Sequence, residues 1–107
     1  MEVSEDIVEI LERLVFFQST ADNPEALRKG FEYIASLFDP KILRTRLFER
    51  NGKHSLLVWF DGNSALRPEV LLSGHFDVVP VDDPSQYALR VEGNKAFGRG
   101  TCDMKGM

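Results

Sequence analysis

Along this chain the spacing of apolar residues changes once, and that change restricts the fold to one with helices and strands in separate layers. Val3, Ile7, Ile10, Leu11, Leu14 and Val15 recur at the interval of an amphipathic helix, with Ser4 as N-cap and acidic residues in the first turn. Residues 18–23 read as a loop. Asn23-Pro24 reads as the N-cap and first residue of a second helix, whose apolar stripe is Leu27, Phe31, Ile34 and Phe38. Asp39-Pro40 stops that helix, because the residue before a proline avoids helical dihedrals. From 42 to 50, apolar and charged residues mix as in a half-exposed strand; Asn51-Gly52 supplies a tight turn, and 55–60 returns. Residues 61–64 make a further turn. Val70-Leu71-Leu72 is a continuous apolar run of the kind a strand covered on both faces shows. Residues 87–91, Gly93-Asn94 and 95–97 form a second, smaller hairpin. Two helices followed by strands, one of them central and buried, predict an α/β or α+β layered domain.

The apolar run leads into Ser73-Gly74-His75-Phe76-Asp77-Val78-Val79-Pro80. Alternate residues of a strand point to one side, so His75 and Asp77 can lie side by side at a strand's C-terminal end, where open α/β sheets gather their sites. A carboxylate beside an imidazole fixes its tautomer and raises its basicity, which suits a metal-ligating histidine. A bare His-x-Asp is short and common, and on its own it reads as a capped strand end. The second chemical segment is Gly98-Arg99-Gly100-Thr101-Cys102-Asp103-Met104-Lys105-Gly106. It has three readings: a metal site with Asp103 as oxygen ligand, a phosphate cradle, or a turn with Asp103 capping a helix. The phosphate reading matches neither glycine-rich fingerprint and sets a carboxylate against an anion. Taken alone, the segment reads as a turn.

Taken together and in this order, the two segments resemble the co-catalytic zinc metallopeptidase and deacylase family, which includes acetylornithine deacetylase, succinyl-diaminopimelate desuccinylase, aminoacylase and glutamate carboxypeptidase. The resemblance follows the whole chain in layout and is sharp over the last third. It implies that residues 1–107 are the N-terminal part, cut at the C-terminal end, of a three-layer zinc-peptidase-like catalytic domain with two helices and then a mixed sheet with hairpins. It implies that His75 ligates one metal ion, that Asp103 bridges two, and that Asp77 is a catalytic-site residue orienting His75 from behind. It further implies a cis peptide at Asp103-Met104. The expected ions are zinc, with cobalt or manganese as substitutes. The implied activity is hydrolysis of amide bonds in N-acyl amino acids or small peptides, with the isolated piece inactive. The family's general-base glutamate and remaining ligands fall beyond Met107. A catalytic zinc usually holds three protein ligands, and two side chains cannot close such a site. The rival reading is a non-catalytic binding module that keeps the scaffold. A homodimer would form through a domain outside these residues.

Composition removes other classes. The chain has 107 residues, a net charge of −4 and 43% hydrophobic residues, which excludes disorder and low complexity. The acidic balance argues against a nucleic-acid partner, and Arg44, Arg46 and Arg50 with Glu49 read as a solvated strand face. No apolar run approaches the roughly 20 residues of a membrane helix. An acidic N-terminus and one cysteine, Cys102, favour a cytoplasmic compartment. Cys102 is expected to be a small buried or passive thiol, His54 to face solvent, and Trp59 and Phe60 to enter the core or face a segment outside the chain. Lys105 is expected at a solvated helix start, and Arg99 to anchor its loop to a carboxylate or carbonyl.

Overall fold

A computed structural model of the chain describes residues 5–60 and 69–107. The expected contribution of Val3, the cap at Ser4 and the turn at 61–64 lie outside the described residues. Helix α1 spans Glu5–Phe16 and helix α2 spans Pro24–Ser36. In α1, Val15 is fully buried and Ile10, Leu11 and Leu14 are half-buried. The cap of α2 forms as its sequence demands: Asn23 Oδ1 accepts the Ala26 N–H at 3.3 Å, and Pro24 takes the first position, where its missing N–H costs no helical bond.

Strands β1 (Leu43–Arg50) and β2 (Lys53–Phe60) form an antiparallel hairpin running from the Leu43–Phe60 pair to the Arg50–Lys53 pair. Asn51 and Gly52 both adopt positive φ, 54° and 75°, as a two-residue hairpin turn requires. His54, Leu56 and Val58 alternate as half-buried positions of β2, the strand that packs on α2. Arg44, Arg46 and Arg50 lie exposed, and the Arg46 guanidinium covers the Phe48 ring at 4.8 Å. A second hairpin joins β3 (Arg90–Glu92) to β4 (Lys95–Phe97), preceded by a 3₁₀ turn at Pro84–Tyr87 that the sequence pattern does not announce. The α/β class is as expected.

The central strand is not. Among the described residues there are two separate two-stranded antiparallel sheets rather than one mixed sheet. Val70, Leu71 and Leu72 form no ladder and are 74%, 76% and 90% exposed. A strand buried on both faces needs a neighbour at its edge and a layer on each side. Here β1 and β2 use one another's backbone groups, and no described strand lies beside 70–72.

The core forms where the helices meet the stretch that follows. Val15, Leu27, Phe76 and Val78 are its buried apolar residues. Phe76 packs on Phe17 and Phe31 at ring separations of 6.1 and 5.6 Å. Its ring lies where a Cβ on Gly30 of α2 would stand, 2.0 Å from Cε1, so a residue without a side chain is what admits it. Ser19, fully buried in the 18–23 loop, stitches this stretch in place. Its hydroxyl donates to the Phe76 carbonyl at 2.9 Å, and its carbonyl accepts the Val78 N–H at 2.9 Å. Residues 76–78 are thus held by a loop instead of a sheet partner. Ser19→Ala leaves the buried Phe76 carbonyl without that donor and is expected to cost about 1–3 kcal/mol. A fall in the urea midpoint at unchanged slope would register it.

Candidate metal centre

With Phe76 and Val78 turned into the core, the alternation of extended backbone turns His75 and Asp77 outward. They lie side by side as the sequence predicts. His75 Nδ1 is 3.1 Å from the Asp77 carbonyl oxygen and 3.3 Å from Asp77 Oδ1. With two acceptors at Nδ1, the proton of the neutral ring belongs there, which directs the lone pair of Nε2 away from Asp77.

Asp103 meets the other ring nitrogen. His75 Nε2 and Asp103 Oδ1 are 2.9 Å apart across 28 positions of sequence. The imidazole is 43% exposed and the Asp103 carboxylate 84%, so the pair opens to solvent. The hydrogen bond that Nε2 of the charged ring donates to the Asp103 carboxylate, followed by that from Nδ1 to the Asp77 carbonyl, holds the His75 pKa above its ordinary 6.5. The pair therefore contributes its full stability below pH 6.5 and loses it as pH rises through the elevated value. An NMR titration of the His75 ring should show a midpoint above 6.5 in the metal-free chain, moved downward in Asp103→Asn.

Asp103 reaches His75 because the backbone around it is irregular. Thr101–Lys105 is a kinked helical turn in which Asp103 itself is non-helical, at φ −133° and ψ 88°. Asp103 does not cap a helix, in correction of that expectation; its side chain is taken by His75, and Gly100 starts the turn without a side-chain cap. Gly100 has φ 84°, and a Cβ there would stand 2.7 Å from Val78 Cγ1, so conformation and space both favour glycine. The Asp103–Met104 peptide is cis, as the resemblance implies.

An open groove of about 440 Å³ runs past the pair, lined by His75, Asp77, Arg99, Thr101, Cys102 and Asp103 among others. Arg99 anchors its loop, but to a side-chain amide rather than to the expected carboxylate or backbone carbonyl: Nη2 donates to Gln86 Oε1 at 3.0 Å. Three expectations need correction. Cys102 is exposed, because its turn lies on the surface. His54 is half-buried with Nδ1 shut from solvent, because it falls on the alternating face of β2 that is covered. Phe60, for which the sequence left the core and an outer position both open, is 64% exposed at the end of β2 and lies outside the core. Lys105 is 6% exposed rather than solvated: its ammonium donates to the carbonyls of Leu14 at 2.8 Å and Phe17 at 3.2 Å. Burial pushes its pKa down to about 8. Ser19 and Lys105 are the residues that sequence reasoning missed. The signal was a polar side chain within each segment flanking an apolar stripe, and it is shared by many solvent-facing residues.

Zinc takes imidazole nitrogen and carboxylate oxygen, so the His75–Asp103 donor set fits part of a zinc site, with Asp77 as the partner that orients the imidazole. Among the described residues no three His, Cys, Asp or Glu side chains gather as a metal-binding group. The pair alone thus falls short of the three ligands of a catalytic zinc.

Comparison with known proteins finds relatives over these same residues. Residues 71–107 match the profile described as peptidase family M20/M25/M40. The chain is 31% identical over 104 residues to a succinyl-diaminopimelate desuccinylase of Rickettsia bellii, covering 90% of this chain and 25% of that protein. It is 33% identical over 79 residues to a probable succinyl-diaminopimelate desuccinylase of Staphylococcus aureus, covering 69% of this chain and 19% of that protein. It is 30% identical over 107 residues to a protein of the same description from Staphylococcus epidermidis, covering 95% of this chain and 25% of that protein. The chain spans about a quarter or less of the length of these relatives. The matched segment contains both halves of the His75–Asp103 pair, and the comparisons place this chain with the peptidase family M20/M25/M40.

Proposed function

We propose that these residues are the N-terminal portion of the catalytic domain of a metal-dependent amide hydrolase, and that they supply two of its metal ligands. His75 Nε2 and Asp103 would hold the ion, zinc by donor chemistry, and Asp77 would hold the imidazole in the ligating tautomer. The observation that carries the reading is the meeting of His75 Nε2 and Asp103 Oδ1 at 2.9 Å with Asp77 on the opposite ring nitrogen. Bound there, the ion supplies polarisation of an amide carbonyl and a nucleophile available at neutral pH. The chain's own residues do the rest. Asp77 keeps the ring oriented, Phe76 and Val78 hold the loop rigid, and Gly100 lets Asp103 approach. Two ligands do not close a catalytic zinc site, so this reading requires further ligands and a general base in addition to this pair.

The substrate class is an N-acyl amino acid or a small peptide. A succinylated diamino acid is the first to test, since the relatives' names specify a desuccinylase. The experiment is hydrolysis of N-succinyl amino acids by the complete polypeptide, with zinc and with a chelator. Activity lost to chelator, restored by zinc, and abolished in His75→Ala and Asp103→Ala supports the proposal. Undiminished activity in both variants overturns it.

A further inference from the structure

Asp103 is held by little of its own: its carboxylate is 84% exposed, and His75 is its recorded side-chain partner. Two residues later, Lys105 is 6% exposed, and its contacts come from distant parts of the chain. Its ammonium donates to Leu14, 91 positions away, at 2.8 Å, and to Phe17, 88 positions away, at 3.2 Å. These carbonyls lie at the C-terminal end of α1, where a helix leaves acceptors unpaired and presents its negative pole. The same ammonium stands 4.6 Å from the centroid of the Phe76 ring, and Phe76 is the neighbour of His75. The Lys105 N–H closes the turn by donating to the Gly100 carbonyl at 2.8 Å. Among the described residues Lys105 makes no ion pair; helix carbonyls and an aromatic face surround the charge.

We infer that Lys105 is the positioning residue of this site: its ammonium ties the Asp103 turn to the end of α1 and to the Phe76 ring, and so sets the approach of Asp103 to His75. One contact reaches the segment that carries His75, and the backbone two residues upstream carries Asp103. A shift of the ammonium would therefore move both candidate ligands relative to each other. Only the meaning of zinc binding rests on the function proposed above; the positioning role is a statement about the His75–Asp103 contact itself.

The test compares Lys105→Met, which keeps the length and loses the donors, with Lys105→Arg, which keeps a cationic donor. The first readout is the nuclear Overhauser contact between the His75 ring and the Asp103 β-protons in the metal-free chain. The second is zinc affinity by calorimetry. Sucrose is added where Lys105→Met is marginally folded, since excluded osmolytes favour the compact state. The expected result is loss of the contact and about tenfold weaker zinc binding in Lys105→Met with its helical circular dichroism kept, and recovery of both in Lys105→Arg. A folded Lys105→Met that keeps the contact and the affinity overturns the inference, even if it melts earlier, because Lys105 then serves stability alone. Should the unaltered chain bind no zinc at His75, the function proposed above fails while the contact readout still decides the role of Lys105.

Discussion

Asp103→Ala is expected to abolish saturable zinc binding by the chain while leaving its fold intact. The side chain is 84% exposed and forms no part of the core, so its removal leaves Val15, Leu27, Phe76 and Val78 packed as before. What it takes away is one of two donors that converge, and a lone imidazole is a weak zinc site. Asp77→Asn should act more mildly, weakening zinc by about tenfold at most, because the candidate ligand His75 remains, the Asp77 backbone carbonyl still faces Nδ1, and only the side-chain carboxylate beside it changes. Calorimetry measures both directly. Melting gives an independent reading, since a ion that binds only the folded chain must raise its melting temperature. Zinc should raise that temperature in the unaltered chain and leave Asp103→Ala unmoved. An Asp103→Ala chain that binds zinc as the unaltered chain does would remove Asp103 from the site.

The second large effect lies away from the candidate ligands. Gly30→Ala raises the intrinsic helix propensity of α2 by about 1 kcal/mol, and on that ground alone would stabilise it. The structure reverses the sign. The new Cβ would stand 2.0 Å from Phe76 Cε1 and 2.4 Å from Cζ, so the ring must leave its place. Phe76 is 4% exposed and packs against Phe17 and Phe31, which leaves it nowhere to turn without breaking those contacts. Overpacking of this kind typically costs about 1–3 kcal/mol, and a net loss of about 2 kcal/mol is expected. Chemical denaturation measures it. Because Phe76 adjoins His75 and lies under the Lys105 ammonium, the His75–Asp103 contact should weaken together with stability. A Gly30→Ala chain as stable as the unaltered one would mean that Phe76 does not pack on α2 at this point.

The local elements were legible because local chemistry determines them. Asn23 and Pro24 start α2 through a side-chain cap and a fixed φ. Asn51 and Gly52 turn β1 into β2 through positive φ at both positions. Gly93, at φ 59°, turns β3 into β4. The outward alternation of His75 and Asp77 also followed from sequence, since period two needs only extended backbone. The partners of these elements were not legible. The Val70–Leu72 run is apolar enough for a central strand, yet a ladder requires a neighbour, and no local property of the run states whether one is present. The burial of Ser19 and Lys105 was hidden for the same reason. Each is a polar residue whose acceptors lie more than 50 positions away, in the Phe76 carbonyl at a separation of 57 and the Leu14 carbonyl at 91. The meeting of His75 with Asp103 was reached through paired motifs and not through spacing, because nothing in a 28-residue interval fixes a side-chain contact.

The central claim is that one cation sits between an imidazole and a carboxylate drawn from two separate motifs. Crystals of the chain grown or soaked with zinc, with data collected on both sides of the zinc absorption edge, test it most directly. The account predicts an anomalous peak touching both His75 Nε2 and Asp103 Oδ1, with Asp77 still on Nδ1. An anomalous peak elsewhere, with the His75–Asp103 hydrogen bond left as it is in the metal-free chain, would contradict it.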